Sequence, residues 1–498
     1  MLTRAAIFVH RWLGVALCLL FLLWFPSGIG MMYWDFPSVT AQDRLARSPA
    51  LDASTVRVSP QDAFAKAGAP PTAAIVLNTF DGRPAYRFRT RRGEAVVYAD
   101  TGDEQGDASA ELMWRVAAAW TRQPANAATI ESIQETDQWT VQGPLRSLRP
   151  LWKFSWPNGA QVYVAQGTGE VVQYTTRASR LGAYLGPIPH WIYFTPLRKN
   201  QAAWSNVVIW TSGVGTFSAL LGLVVGIWMY SPSKRYRRAG VPTSIPYRGQ
   251  KRWHTVFGLI FGIGAATWAF SGMLSMDPFP SASGGRSRRA GVALADALRG
   301  AVKLEAFSAK PPREALAQLS PQRVTQLEFT SFAGQPVYLA TLDGGSTRVV
   351  PMEGPPQSEF DRKRIADVIA KETEAAGGAD VRVLDRYDAY YLDRRRERPL
   401  PVVLAQLHDA ERTRYYIDPK TASIVHAYGA SGWVSRWLYH GLHSLDFPWL
   451  YAYRPLWDVI VITFMAGGTA LSVTSIVLAW RVIGRRLSRA ADEEADAV

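Results

Sequence analysis

The chain alternates between four uncharged apolar stretches and two long polar regions. Each apolar stretch contains at least twenty residues. A helix that rises about 1.5 Å per residue needs about that length to cross a hydrocarbon core of about 30 Å. The apolar stretches are Leu13–Trp34, Ala202–Tyr230, Thr255–Met276 and Val459–Trp480. With their flanking residues they predict transmembrane helices at 1–34, 202–230, 254–276 and 457–481. We therefore expect a membrane α-helical bundle of four transmembrane helices.

The two polar regions, 35–200 and 277–455, carry the patterns of mixed α and β structure. Short runs of alternating apolar and polar residues predict strands, because they are bounded by turn-forming residues. These turns include Asp81-Gly82, Asp100-Thr101-Gly102, Gly167-Thr168-Gly169 and Asp343-Gly344-Gly345. Helix patterns precede several of the runs, at Pro60–Ala67, Ala108–Ala119, Pro312–Leu319 and Arg364–Ala375. This order predicts two extramembrane α+β domains, each with about two small modules.

Basic residues flank the second, third and fourth helices on one side. The connection 231–252 contains seven Lys or Arg residues and no acid, and Arg481, Arg485, Arg486 and Arg489 follow the fourth stretch. Because short loops rich in Lys and Arg stay in the cytoplasm, we expect this loop, the tail 482–498 and the N-terminus inside and both polar domains outside. The net charge of +14 owes much to these residues. No nucleic-acid-binding module accompanies them, so membrane lipid is the expected partner and nucleic acid is not.

The alternative interpretation of the first apolar stretch is a signal peptide that is cleaved off. Arg4 and Arg11 precede it, and the small-residue run Ser38–Ala41 follows it. The stretch is longer than a usual signal core, and it repeats the third stretch, which lies inside the chain and cannot be cleaved off as a signal. We therefore expect it to be retained. Its Cys18 is the single cysteine, so neither a disulfide nor a cysteine-based metal site can form within one chain.

Histidine, glycine, tryptophan and serine recur in the two halves at constant spacing. Trp accounts for only 19 of 498 residues, so its repeated placement relative to a histidine indicates an internal tandem duplication. In the first set, His10, Gly14, Trp24 and Ser27-Gly28 recur 244 residues later as His254, Gly258, Trp268 and Ser271-Gly272. In the second set, His190 and Trp204 recur as His443 and Trp457, fourteen residues apart in each half.

Two kinds of motif resemble a known family. The strand-turn-strand pieces Asp81–Phe88 and Tyr415–Val425 look like PepSY domains, and Val9–Gly14 and Trp253–Gly258 resemble the PepSY-associated transmembrane helix family. That family includes iron-regulated inner-membrane proteins and ferric-siderophore reductases that carry b-type haem between their helices. The resemblance covers nearly the whole chain. It implies a bacterial inner-membrane protein with periplasmic PepSY-like domains and haem b, one or two per chain.

The repeated residues have the geometry that a haem site needs. At 100° per residue, His10, Gly14, Trp24 and Gly28 lie on one stripe of a helix. Glycines on such a face let a flat macrocycle or a neighbouring backbone approach closely. Neutral imidazole is a common axial ligand of haem iron. A histidine that only reaches lipid headgroups or fills a structural position remains the alternative interpretation.

Axial ligands of one iron approach it from opposite faces, so they must lie at similar depth in the membrane. The simplest pairing is His10 with His254 on the inner side and His190 with His443 on the outer side. His440 lies three residues before His443 on the same helical face and is an alternate ligand or proton donor. One paired site with two structural histidines is an equally open arrangement. The other two histidines, His408 and His426, fall in strand-like pieces and are expected at the surface or in turns.

For the repeated tryptophans, the sequence supports less specific predictions. Trp24 and Trp268 either line a cofactor or pack within the bundle, and packing is the more common outcome for such residues. Trp204 and Trp457 are expected to act as interfacial anchors. The apolar stretches contain no Asp or Glu, which argues against a proton-coupled transporter, because such proteins usually keep an intramembrane carboxylate.

The resemblance favours a membrane reductase that passes electrons outward to an Fe(III) chelate, such as a ferric siderophore, in iron uptake. The loop 231–252 is too short for a flavin or nicotinamide domain, so the electron donor must be another molecule, either a quinol or a partner reductase. Two alternatives remain. One is a non-enzymatic PepSY scaffold or regulator that binds peptides or a peptidase. The other is an accessory subunit of metal uptake.

Overall fold

The computed structural model describes residues 1–67, 75–90, 93–278, 284–300 and 303–495. The α-helices are α1 Leu2–Tyr33, α2 Ala41–Leu45, α3 Pro60–Lys66, α4 Ala110–Thr121, α5 Arg177–Leu185, α6 Pro187–Trp191, α7 Thr195–Arg198, α8 Gln201–Met229, α9 Gly249–Leu274, α10 Gly284–Leu298, α11 Pro312–Gln318, α12 Arg362–Thr373, α13 Pro448–Ala452 and α14 Arg454–Ala495. Short 3₁₀ turns occur at Ala125–Ala127, Gly143–Arg146, Leu304–Ala309, Glu374–Ala376 and Ala430–Gly432, and Val434–Gly441 is a π-helix.

The strands are β1 Ile75–Phe80, β2 Arg83–Thr90, β3 Gly93–Tyr98, β4 Thr129–Ile133, β5 Leu151–Ser155, β6 Gln161–Ala165, β7 Val171–Thr175, β8 Tyr236–Arg238, β9 Val241–Thr243, β10 Val324–Phe332, β11 Gln335–Leu342, β12 Thr347–Pro351, β13 Ala379–Leu384, β14 Val402–Leu407, β15 Arg414–Asp418 and β16 Ser423–Tyr428. The four helix patterns read in the polar regions correspond to α3, α4, α11 and α12. The elements divide between two compact units, which we call the helical unit and the sheet unit.

The helical unit consists of Met1–Phe36, Ala178–Pro280 and Trp433–Val498. It contains the four helices that are long and apolar enough to cross a membrane, which are α1, α8, α9 and most of α14. The four predicted membrane helices are therefore present. In the bundle, α1 packs against α8 and α14, and α9 packs against the same two helices. Since α1 begins at Leu2, His10 lies inside this helix.

The sheet unit consists of Pro37–Arg177 and Ser281–Gly432 and contains three antiparallel sheets. The largest has six strands in the order β12-β11-β10-β1-β2-β3, and the other two are the four-stranded meanders β4–β7 and β13–β16. Side chains alternate between the faces of the large sheet. Tyr86 and Tyr338 pack against α3 and α11 on one face, whereas Ala85 and Leu339 belong to cores shared with the two smaller sheets.

The two polar regions share the six-stranded sheet, which differs from the expectation of two separate domains. Strand β1 of the first region pairs with β10 of the second in antiparallel register, with Leu77 opposite Leu327. Both leucines are fully buried in one core. The segments before α8 and α14, residues 178–200 and 433–455, belong to the helical unit and not to the sheet unit. The boundaries predicted at 35–200 and 277–455 therefore differ from the compact units.

A predicted tight turn is present where the sequence places Asp81-Gly82. Both residues have positive φ, 48° and 76°, and they join β1 to β2 as a two-residue hairpin loop. Such loops require this backbone conformation, which Asp and Gly adopt more readily than most residues. Ala333 and Gly334 make the corresponding connection between β10 and β11, with φ of 49° and 78°.

Candidate functional site

Two pairs of histidines meet inside the helical unit. The ring centres of His10 and His254 are 6.1 Å apart, and those of His190 and His443 are 5.9 Å apart. When two imidazoles bind one metal ion from opposite sides, each metal–nitrogen bond is about 2 Å long, and each ring centre lies about 1 Å beyond its nitrogen. The two ring centres are then roughly 6 Å apart. Both pairs have the separation that this geometry requires.

The imidazole of His10 on α1 is oriented by the backbone of α8. Its Nδ1 lies 3.1 Å from the carbonyl oxygen of Ser218. A carbonyl oxygen can only accept a hydrogen bond, so Nδ1 carries the proton and donates. The lone pair of the neutral ring then resides on Nε2, where it can bind a metal.

His254 on α9 is oriented by residues of α14, and its Nδ1 also carries the proton. Its Nδ1 lies 3.3 Å from the hydroxyl oxygens of both Thr474 and Ser475. Each hydroxyl donates its only proton to the carbonyl oxygen of Leu471, at 2.7 and 2.9 Å. Both hydroxyl oxygens are therefore acceptors for Nδ1–H, and Nε2 of His254 also keeps its lone pair.

His190 lies on α6, which approaches α1 at backbone distance. A Cβ atom added to Gly30 of α1 would lie 2.5 Å from the carbonyl oxygen of Leu185, so only glycine permits this contact. The His190 Nδ1 lies 3.2 Å from the Trp24 carbonyl oxygen and 3.3 Å from the Ser27 hydroxyl. Because the carbonyl accepts, Nδ1 again donates and Nε2 is the nitrogen that can bind a metal.

His443 follows the π-helix and makes the matching contacts on α9. Its Nδ1 lies 3.0 Å from the hydroxyl of Ser271, which donates to the carbonyl oxygen of Trp268 at 3.2 Å. The indole N–H of Trp268 in turn donates to the carbonyl oxygen of His443 at 2.9 Å. The repeated Trp and Ser positions of the sequence thus hold the second pair of histidines, although they share a helical stripe with the first pair.

The other repeated tryptophans fix the backbone beside the same two histidines. The indole N–H of Trp204 donates to the carbonyl of Trp191 at 2.8 Å, and that of Trp457 donates to the carbonyl of Ser444 at 2.9 Å. Each acceptor is the residue directly after the histidine. Both indoles are buried, with 6% and 2% of their surface exposed. The prediction that they act as interfacial anchors is therefore wrong, because their polar atoms are used inside the bundle.

A cavity of about 420 Å³ adjoins His10 and His254, and we call it the basic-end cavity. Its size is within the usual range for small-molecule sites, about 300–1,000 Å³. All four membrane helices line it, and small residues make up much of its wall. The glycines among them are Gly14, Gly222, Gly226, Gly258 and Gly262.

A smaller cavity of about 80 Å³, the aromatic cavity, adjoins His190 and His443. Its aromatic lining is Phe21, Trp24, Phe25, Trp191, Trp204, Trp268 and Tyr439. Phe21 and Phe25 line both cavities, so the two are neighbours along the bundle. Trp24, which contacts His190, is fourteen residues from His10 on α1. The two pairs therefore lie roughly 21 Å apart along the helix axis.

Gly222 makes room for the ring of His10. A Cβ atom at this position would lie 2.4 Å from Cε1 of His10, too close for the ring to stay where it is. We predict that Gly222→Ala displaces His10 and removes any metal–imidazole bond that it makes. The control is Gly226→Ala on the same helix, whose Cβ would meet the flexible side chain of Leu259 at 3.2 Å. Absorption spectra of the two purified variants would check this, and identical spectra would contradict the assigned role of Gly222.

The remaining histidines lie outside both pairs. His440 is exposed, with its ring centre 4.6 Å from that of Tyr439, and the aromatic cavity is lined by His443 instead. His408 in the sheet unit is exposed as predicted, and its Nε2 lies 3.2 Å from Asp380, which raises the pKa of His408. His426 is half-buried on β16, with its ring centre 5.8 Å from that of Tyr416.

The sequence reading missed several residues that orient the first pair, namely Ser218, Gly222, Leu471, Thr474 and Ser475. The repeat spacing in the sequence does identify the positions of some of them. Ser218 and Leu471 are 253 residues apart, as are Gly222 and Ser475, and His190 and His443 have the same separation. Extending the repeat through α8 and α14 would have placed these residues in corresponding positions.

The PepSY-associated TM region family matches residues 8–341, which is two thirds of the chain. The chain belongs to this family. The match includes His10, His190 and His254 and ends before His443. A search of curated proteins found none that matches this PepSY-associated protein.

Within the described ranges of this PepSY-associated protein, no group of three or more His, Cys, Asp or Glu side chains is arranged to hold a metal ion. Each pair of imidazoles offers two nitrogen ligands. A macrocycle supplies four equatorial nitrogens and needs only two axial ligands from the protein. The donor set is therefore of the kind that a haem requires.

Proposed function

We propose that this protein is a haem-b-containing reductase of the bacterial inner membrane. In this proposal it passes electrons outward to an Fe(III) chelate, such as a ferric siderophore, in iron uptake. The observation that carries the proposal is the presence of two imidazole pairs with ring centres about 6 Å apart. In each pair both Nδ1 atoms are hydrogen-bonded, so both Nε2 atoms can act as axial ligands.

Haem of the b type fits the chain better than covalently attached haem does. Covalent attachment uses a C-x-x-C-H motif, and this chain has only Cys18, which is buried in α1. His10 and His254 would hold one haem, and His190 and His443 would hold a second. The aromatic cavity is smaller than a macrocycle, so binding there requires its lining to move apart. The flexible thioether of Met465 in that lining suits such a rearrangement.

Bound haem would supply one-electron chemistry, and the protein would set its access and orientation. The four Nδ1 hydrogen bonds hold each imidazole in one tautomer and one ring orientation. Phe21 and Phe25, whose ring centres are 5.9 Å apart, occupy the region between the pairs and place aromatic rings along the path.

The distribution of charge supports transfer in the outward direction. The Lys- and Arg-rich residues 231–252 and 481–489 adjoin the end of the bundle that holds His10 and His254, and such segments stay in the cytoplasm. Electrons would therefore enter at the first pair and leave at the second. The described structure of 231–252 is a short hairpin, β8–β9, so the donor is a quinol or a partner reductase. One electron per iron converts Fe(III) to Fe(II), which weakens the hold of hard oxygen ligands and releases the metal.

A scaffold or regulator that binds peptides or a peptidase would account for the sheet unit. That role, or one as an accessory subunit of metal uptake, would leave four oriented imidazoles in the membrane bundle without a use. Buried polar groups of this kind within a membrane are costly and are usually functional.

The test is an absorption and pyridine-haemochrome spectrum of the purified full chain. We expect a Soret band, α and β bands that sharpen when dithionite is added, and two haems b per polypeptide. Adding a ferric chelate to the reduced protein should return the oxidised spectrum and form Fe(II). A colourless protein would overturn the proposal, and a coloured protein that dithionite reduces but ferric chelates do not oxidise would exclude the proposed acceptor.

A further inference from the structure

Five cationic side chains line the basic-end cavity on one side. They come from α1, from the start of α9 and the residue before it, and from the end of α14. The five are Arg11, Arg248, Lys251, Arg481 and Arg485. Among the residues that the structure describes, no Asp or Glu is part of this lining. Positive charge is therefore concentrated at one end of a cavity whose other end is closed by Phe21, Phe25 and Ala265.

These cations are not used in ion pairs with the rest of the described chain. Other arginines of the protein do form such pairs, for example Arg83 with Asp100 at 2.7 Å and Arg436 with Asp446 at 2.7 Å. In contrast, among the side chains that the structure describes, which exclude those of 89–93, 279–290 and 489–498, no carboxylate pairs with any of the five. Unpaired cations that converge on one cavity create a positive potential that attracts an anionic ligand.

The second cavity provides an internal comparison. No Lys or Arg of the described part of the chain lines the aromatic cavity, where the polar side chains are those of His190, His443, Tyr439, Ser212 and Ser275. The cationic lining is thus a property of one site and not of the bundle in general. It requires a ligand that is apolar over most of its length and anionic at one edge.

We infer that the five cations bind the carboxylates of the cofactor that His10 and His254 hold, and so fix which of its edges faces residues 231–252. The inference rests on the proposed function and adds the orientation of the group. Haem b has two propionates on one edge of an apolar macrocycle, which matches the division of this cavity. Arginine forms paired hydrogen bonds to carboxylates, so Arg11, Arg248, Arg481 and Arg485 suit the task better than four lysines would.

The same side chains could instead bind phosphate of lipid headgroups, since both ligands are anionic oxygens. The two sources differ in what they predict for the cofactor. If the cations bind headgroups, removal of cationic charge leaves haem affinity unchanged. If they bind propionates, haem affinity falls, and it falls only when the carboxylates are present on the haem.

The experiment compares Arg248→Gln/Arg485→Gln with Arg252→Gln/Arg486→Gln in the full chain. The control arginines are close in sequence and do not line the cavity: Arg252 donates to Thr243, and Arg486 lies 4.5 Å from the ring of Trp12. Each apoprotein is titrated with haem b and with its dimethyl ester, in which the propionates carry no charge. The haem of the aromatic cavity serves as the internal reference for correct folding.

For the wild type and the control variant, we expect the basic-end cavity to bind haem b about tenfold or more tightly than the ester. In Arg248→Gln/Arg485→Gln this preference should disappear, while the aromatic cavity still binds haem. The midpoint potential of any haem retained at the basic end should shift to lower values, because unpaired propionates favour the oxidised iron. An unchanged preference for haem b over the ester, with both cavities loaded, would overturn the inference and leave the proposed function standing. If the wild type binds no haem at all, the proposed function itself fails.

Discussion

If the chain holds two haems as proposed, His443→Ala will lose one of them, whereas His440→Ala will keep both. The reason is that His443 lines the aromatic cavity opposite His190, with its Nδ1 fixed by Ser271, while the ring of His440 is exposed. Removing one axial ligand of a non-covalent haem removes half of its protein bonds to iron. The measurement is haem per polypeptide from the pyridine haemochrome, together with the low-spin signal in electron paramagnetic resonance.

His440→Ala is a matched control because it removes the same imidazole three residues away. Electron transfer gives a second readout: His443→Ala should still be reduced from the cytoplasmic side, but its reduction of a ferric chelate should fall to background. If His440→Ala instead loses the haem and His443→Ala retains it, the ligand assignment is wrong. If both variants retain two haems, the aromatic cavity does not hold a haem through this segment.

Gly14→Leu is expected to exclude the proposed haem from the basic-end cavity without unfolding the protein. Gly14 lies on α1, and a Cβ atom added there would have no heavy atom within 4 Å. A leucine side chain can therefore extend into the cavity without a steric clash. Leucine also has a higher helix propensity than glycine. The side chain would occupy the space that a macrocycle between His10 and His254 needs.

Gly484→Leu is the control for this variant. A Cβ atom at Gly484 also meets no heavy atom within 4 Å, but the residue lies outside both cavity linings. Thermal unfolding in detergent should give similar midpoints for the two variants and the wild type. Haem content should fall to one per chain in Gly14→Leu only. A full complement of haem in that variant would show that the macrocycle does not use this cavity.

The membrane helices and the histidine pairs could be read from the sequence because their signals are local or repeated. A run of twenty apolar residues identifies a membrane helix by itself, and equal spacing in two halves links His10 to His254 and His190 to His443. The atoms that form hydrogen bonds with each histidine could not be predicted in the same way. The Trp24 and Ser27 repeats point to a conserved arrangement within the chain, but only the packing of α6 on α1 shows that they contact His190 and not His10.

The shared sheet could not be predicted for a related reason. The antiparallel pairing of β1 with β10 joins residues about 250 positions apart, and nothing in the alternation of either strand specifies its neighbour. Each strand pattern was compatible with a separate domain. Likewise the spacing of Gly222 on α8 marks its position, but the contact that requires a glycine there becomes visible only when the ring of His10 lies across it.

The partnership of β1 with β10 also determines the order of events during biosynthesis. When the first half of the chain has left the ribosome, β1 already pairs with β2, but its other edge has no neighbour until β10 is made. Exposed edges of this kind invite association with other chains. The nascent protein must therefore keep a half-built sheet apart from its surroundings until α9 and then β10 have been made. Truncation after α8 would make that aggregation-prone state permanent.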